Sequence, residues 1–186
     1  MPMKRLFDLA IALPALLLLA LPMALVALAV WVDSGRPVLF GQTRVGLGGR
    51  PFRVLKFRSM VANAERLGPQ RTAQADARIT RVGRVLRRTS LDELPQLINV
   101  VRGDMSLVGP RPDVPAQQAD YDPADWALRC SVRPGITGLA QALYRSRATP
   151  AQRLEADLDY VRHHGLLRDL HILALTAGQL FRRSGN

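Results

Sequence analysis

Residues Ser90–Pro112 read SLDELPQLINVVRGDMSLVGPRP. The stretch joins two adjacent carboxylates, an apolar helical run, a Gly-Asp turn and an arginine held between two prolines. Ser90, three residues before Glu93, has the form of a capping box, with its hydroxyl accepting from the Glu93 amide and the glutamate reaching back. That spacing predicts Asp92 and Glu93 in the first turn of a helix. There the macrodipole favours charged carboxylates and keeps Asp92 ionised, as a nucleophile or a metal ligand. Pro95 lacks an amide and crowds the carbonyl four residues back, so it either distorts this turn or opens the regular helix itself. Both arrangements put the acids at a helix entrance. An isolated Asp-Glu pair ordinarily only compensates the dipole of a surface helix, so the surroundings decide its meaning.

Immediately upstream, Arg81, Arg84, Arg87 and Arg88 recur at helical spacing with Val82, Val85 and Leu86 between them. Such a basic face is solvated or membrane-facing, and here it leads straight into Asp92. Residues 62–78 are polar and punctuated by Gly and Pro, which predicts a loop or frayed helix. Before them, PVLFGQTRVG and PFRVLKFRSM predict the two strands of a β-hairpin. Gly46, Gly48 and Gly49 between them fit a plain hairpin turn better than a phosphate-cradling loop, which needs a strand before it and a helix after. Lys56 and Arg58 alternate around Phe57 and are expected on one side of the strand, facing an anionic ligand or solvent.

From Leu9 to Val32 no residue is charged, a run long enough to cross a hydrocarbon core of about 30 Å as a helix. A cleaved signal peptide fits poorly, because the run exceeds the usual apolar region of about 7–15 residues. A spanning helix and a re-entrant one remain. Pro14 and Pro22 interrupt the run, and basic residues flank both ends (Lys4 and Arg5 before; Arg36, Arg44 and Arg50 after), so charge alone gives no sidedness. A bend at Pro22 that returned the chain to its starting face would suit both flanks, provided that the freed backbone groups were paired again.

Downstream, residues 113–130 predict a loop leading into a short helix around Trp126. SVRPGITGLAQ places Arg133 beside turn residues whose amides suit an anion or a simple chain reversal. Thr149 and Pro150 open a helix with Leu154, Leu158 and Val161 as its buried stripe, stopped by Gly165. On it Asp157 is exposed or held towards a site. A last helix over 166–183 repeats leucine at helical spacing and ends in Arg182-Arg183, packing on the core or lying in a lipid interface with those arginines at headgroup level. The three histidines do not form a metal set.

The totals are consistent with one compact core. The chain has 186 residues, and 26 basic against 15 acidic residues give a formal charge of +11. All the basic residues except Lys4 and Lys56 are arginine, whose planar fork of donors suits phosphate, so phosphorylated partners or anionic lipid are expected. A lone Cys130 excludes an internal disulfide and fits a small core residue.

Taken together, KRLFDLA, the apolar run with Pro22, PVLFGQTRVG, KFRSM, the central stretch, RPGITG and EADLDYV resemble the bacterial sugar transferases, the small monotopic phosphoglycosyl transferases. The motifs run in family order over nearly the whole chain. The resemblance implies a mainly helical α+β fold: a re-entrant membrane helix broken at Pro22 (residues 1–33), then a catalytic domain (34–186) with a small β-hairpin and amphipathic interfacial helices. It favours the re-entrant reading, with the catalytic domain on the cytoplasmic face of the bacterial inner membrane.

The implied activity transfers a sugar-1-phosphate from a nucleoside-diphosphate sugar, expected to be a UDP-sugar, to polyprenyl phosphate, the first membrane step of glycoconjugate or exopolysaccharide assembly. Asp92 is the implied nucleophile, forming a covalent phosphosugar-aspartate with release of UMP, and Glu93, with Asp92, is the implied holder of magnesium. Lys56, Arg87 and Arg111 fall on positions used around the phosphates and Asp157 on a later acid; Arg58, Arg133 and Arg145 are further candidates, the last two for the nucleotide end. Membrane lipid is an expected partner, as is a possible homo-oligomer, and nucleic acid is not. The length suggests the catalytic core alone. Departures are Leu21 where the family has Ser before the proline, the extra Pro14, and Leu139 to Arg145 after RPGITG. From a different class, the residues also fit a non-catalytic anchored module whose basic surface binds anionic lipid or nucleic acid, although the acid pair would weaken such binding unless a cation joined it.

Overall fold

The computed structural model describes residues 2–64, 67–68 and 76–184, and it is mostly helical with two small two-stranded sheets. Most of the expected loop at 62–78 falls outside the described residues, as do the side chains of Arg182 and Arg183.

The chain opens with α1 (Pro2–Leu18) and α2 (Ala20–Ser34). Among the described residues no single helix is long and apolar enough to cross a membrane, but this pair, bent by 60°, has the length and apolar composition when taken together. The break lies at Leu19 and not at Pro22, which falls in the first turn of α2. Pro22 has no amide to offer the Leu18 carbonyl and its ring crowds that oxygen, so its effect appears one turn upstream. Leu19 itself donates to the Ala15 carbonyl at 2.9 Å and accepts from the Met23 amide at 2.8 Å, whereas Pro14 is accommodated inside α1.

The two helices have contrasting faces. Leu6, Leu17, Leu18, Leu21, Leu25 and Val32 are more than half exposed. The opposite side of α1 joins the main core, where Phe7, Ala12, Ala15 and Leu16 pack with Leu97, Val100, Met105 and Tyr160. Polar ties fix the start of α1. Lys4 Nζ pairs with Asp169 at 2.5 Å, Arg5 donates to the Val100 and Val101 carbonyls, and buried Asp8 accepts from the Ser106 hydroxyl and the Leu107 amide. Lys4 and Arg5, read in the sequence as flanking charges, are thus committed to the protein.

Strands β1 (Leu39–Val45) and β2 (Pro51–Phe57) form the expected antiparallel hairpin, registered from Leu39↔Phe57 to Val45↔Pro51. Helix α3 (Arg81–Thr89) follows, its N-terminus capped by Thr80, whose hydroxyl accepts from the Gly83 amide. Gly83 lets α3 lie directly on the chain after β2: a Cβ there would fall 2.0 Å from the Ser59 carbonyl oxygen. A single 3-10 turn, Leu91–Glu93, precedes α4 (Gln96–Arg102), so the regular helix does open at Pro95.

A second sheet pairs β3 (Ser106–Val108) with β4 (Gly135–Thr137) in parallel, with α5 (Pro123–Arg129) between them in the chain. The sequence had shown RPGITG only as turns. At this sheet the backbones of Gly109 and Gly135 touch, and a Cβ on Gly135 would lie 2.1 Å from the Gly109 nitrogen. The chain closes with α6 (Leu139–Tyr144), α7 (Pro150–His163) and α8 (Leu166–Ser184). As expected, Thr149 caps α7, here with Gln152 completing the reciprocal pair.

Candidate active site

The 3-10 turn between α3 and α4 carries both acids. The capping box does not form: Ser90 adopts a left-handed conformation (φ 62°, ψ 16°) and its hydroxyl makes no cap bond. The reason is that Ser90 already ends α3, its amide returning to the Arg87 carbonyl, so it cannot also start an ordinary helix. Asp92 is therefore buried in a tight turn, where burial raises its pKa against the pull of Lys56, and Arg87 pulls the same way as Lys56. The helix dipole expected to favour its charge is thus replaced by a turn in which burial works against that charge. Asp92 makes no ion pair among the described residues.

Glu93 is the opposite case. Its Oε1 accepts from Lys56 Nζ at 2.7 Å and from Arg111 Nη2 at 2.6 Å. Burial alone would raise its pKa, but Arg111 and Lys56 outweigh that and hold it at about 2. Burial lowers the Lys56 pKa in spite of its carboxylate partner, while Glu93 raises that of Arg111. Two cations and two acids thus converge from β2, the 3-10 turn and the loop after β3. Arg87 stands beside them, donating to the Ser59 hydroxyl at 2.8 Å.

Two supports were not anticipated. Asn99, fully buried in α4, accepts from the Leu55 amide at 2.9 Å and donates to the Arg53 carbonyl at 2.8 Å. It stitches α4 to the open edge of β2 next to Lys56. A polar residue in the apolar run INVV was the available signal. Arg44 on β1 donates to the Pro112 carbonyl at 3.0 Å, and burial lowers its pKa, with Arg111 nearby adding to the effect. Gln42 and Arg44 alternate, which places them on one side of β1, and Gln42 Oε1 accepts from Arg44.

The remaining candidates have other duties. Asp157 is 1% exposed and pairs with Arg129 at 2.8 Å. Asp113, equally buried, pairs with Arg129 at 2.8 Å and with Arg153 at 2.5 Å. Arg129 and Arg153 both donate to the Arg111 backbone carbonyl, so Asp157 reaches the site only through the main chain of Arg111. Arg58 is also buried and does not share a ligand face with Lys56: β2 ends at Phe57, and its guanidinium turns to Ser34 and Gly35 at the end of α2. There it satisfies helix-end carbonyls, with Nε and Nη1 lacking partners among the described residues. Arg133 donates to the Gly103 carbonyl at the end of α4. Arg145 ends α6 with φ 58°, its amide donating to the Gln141 carbonyl and its exposed side chain making no hydrogen bond among the described residues.

A hard cation that keeps its waters and binds substrate phosphate needs only one or two protein carboxylates. Among the described residues no group of three or more His, Cys, Asp or Glu converges, so they form no protein-only cage, and Asp92 and Glu93 are the two carboxylates that could hold such a cation.

Relatives put this geometry in context. The bacterial sugar transferase family matches residues 1–183. A UDP-glucose:undecaprenyl-phosphate glucose-1-phosphate transferase of Caulobacter vibrioides is 45% identical over 95% of this chain and 69% of its own length. The transferase of the same description from Escherichia coli is 44% identical over 94% of this chain, which spans only 39% of that protein. The exopolysaccharide production protein ExoY of Sinorhizobium fredii is 41% identical over 93% of this chain and 83% of its own length. With a family match from end to end and a paired acid set between two cations, this chain belongs to the bacterial sugar transferases.

Proposed function

We propose that the protein transfers a sugar-1-phosphate from a UDP-sugar to polyprenyl phosphate, with Asp92 as nucleophile. The observation that carries this is the asymmetry of the acid pair, with Glu93 locked between Lys56 and Arg111 and Asp92 beside it without an ion-pair partner among the described residues. An Asp92 carboxylate oxygen attacks the sugar-bearing phosphorus, and the bond to the bridging oxygen breaks with its electrons leaving on UMP. A phosphate oxygen of the polyprenyl acceptor then attacks the same phosphorus, and the aspartyl bond breaks to restore the carboxylate.

Lys56 and Arg111 supply the charge that such a transfer needs, since phosphoryl transfer rests on positioning and on neutralising spread negative charge. An arriving diphosphate takes their donors and frees Glu93, which with Asp92 would hold a magnesium ion that neutralises the diphosphate further. Arg87 lies close enough to add to this field. The bent pair α1–α2, apolar on its outer face, suits a re-entrant anchor that keeps the site at the cytoplasmic face of the inner membrane.

The test is UMP release from a panel of UDP-sugars by detergent-solubilised protein with magnesium, with and without polyprenyl phosphate. Release that requires one sugar and turns over only with the lipid is the expected result; an active Asp92→Asn variant would overturn the nucleophile assignment.

A further inference from the structure

We infer that the groove between α2 and α3 seats an anionic phospholipid of the bilayer, its chains against α2 and its phosphate on the outward arginines of α3. This rests on the re-entrant reading of α1 and α2. The four arginines of α3 divide by direction. Arg87 turns inward to Ser59, whereas Arg81, Arg84 and Arg88 are exposed and their side chains make no hydrogen bond or ion pair with any described residue. At about 100° per residue these three and Val85 occupy one arc of roughly 100°. Val85, between them, is 49% exposed. A solvated basic face has no need of an exposed valine, but an interfacial one does.

Beside this arc lies an open groove of about 660 Å³, lined by Leu25, Leu28, Ala29 and Val32 of α2 and by Asp33, Arg81 and Val82. Its wall is aliphatic and its rim carries Arg81. Asp33 at the rim is already used, accepting from the Val82 amide at the start of α3. The chemistry matched is an acyl chain joined to a phosphate, which a soluble anion or a nucleic acid lacks.

The polyprenyl acceptor has both features but the wrong reach. Helix α3 is nine residues, about 13 Å long, and the groove is at its first turn while Asp92 follows its last. An acceptor with its phosphate on Arg81 would sit a helix length from the nucleophile. A bilayer phospholipid has no such demand, and held there it fixes the depth and roll of α3 at the membrane surface, just ahead of the catalytic turn.

The experiment reconstitutes the full chain in bilayers and measures, by electron spin resonance, the association of spin-labelled phosphatidylglycerol relative to phosphatidylcholine. Native protein should prefer the anionic lipid by roughly threefold to tenfold, as expected for several arginines near a membrane surface. The triple variant Arg81→Gln, Arg84→Gln, Arg88→Gln should lose that preference. A control triple at exposed Arg50, Arg147 and Arg162, with the same loss of charge, should keep it. Equal association of the two lipids with native protein, or an equal fall in both triples, would overturn the seat and leave the anchor standing. The absence of an immobilised component for either lipid would remove the re-entrant reading, and the seat with it.

Discussion

Two arginine–carboxylate clusters meet at Arg111, one through its side chain and the other through its backbone carbonyl. In the first, Glu93 holds Lys56 and Arg111, whose side chains are 20% and 40% exposed. In the second, Asp113 and Asp157 hold Arg129, and all three are at most 4% exposed. The chemistry is the same and the roles differ. A pair that still touches water can exchange partners with an incoming phosphate at modest cost, whereas a buried pair that loses one member leaves a charge short of a partner. The first cluster is therefore suited to bind and release, and the second to hold the peptide that presents Arg111.

That contrast breaks most sharply at the acids. Asp92→Asn should reduce UMP release to background while leaving the thermal midpoint unchanged or raised, because burial already disfavours its charge. Asp157→Ala should do the reverse, destabilising the fold by about 3 kcal/mol, because buried Arg129 loses one of its two carboxylate partners and keeps only Asp113. Denaturant unfolding of the two variants beside turnover checks both. Equal loss of stability in both would erase the distinction between site and scaffold.

Which cluster is which was not legible from sequence. Asp92 and Glu93 stood out by local pattern, Lys56 and Arg111 by the family resemblance, and the fold does bring them together. Asp157 looked equivalent because burial is a property of packing, set by Arg129 from α5 and Arg153 one turn before it on α7. Arg58 misled for a related reason, since strand alternation stops counting where β2 stops. The hairpin, α3, α7 and α8 were readable because caps, turns and periodicity are local signals. The β3–β4 pair was not, being three residues long on each side, distant in the chain and dependent on glycine backbones in contact. The break at Leu19 was readable in kind and misplaced by three residues, because a proline acts on the carbonyl of the preceding turn.

Between the extremes lies the carbonyl of Arg111. Arg129→Lys keeps a positive charge near Asp157 but loses the planar fork that also reaches this carbonyl. The loosened Arg111 should lower kcat/KM by about ten- to a hundredfold, in line with the cost of small misplacements in a site. The effect should fall on donor KM more than on UMP binding by the Asp92→Asn background. A variant that unfolds without changing the kinetics of its folded fraction would confine Arg129 to the scaffold. Asn99→Ala tests the other flank: three hydrogen bonds are lost and stability should fall by about 2 kcal/mol through the unpaired Leu55 amide.

The smallest effect separates the clusters by acid. Glu93 sits at about 2, below its ordinary 4.5, so its ion pairs stabilise the fold fully above pH 5 and fade as pH falls towards 2. Lys56 shifts the other way from what its partner alone would give, because burial lowers its pKa. Desolvation therefore offsets part of the gain, and with solvent screening the net contribution is about 1 kcal/mol. Glu93→Gln should accordingly lose less stability than the native chain between pH 5 and 2, a difference readable in thermal midpoints. An identical acid limb in both proteins would mean that Lys56 and Arg111 hold Glu93 no better in the folded chain than water does in the unfolded one, and the exchangeable cluster would then owe its geometry to packing alone.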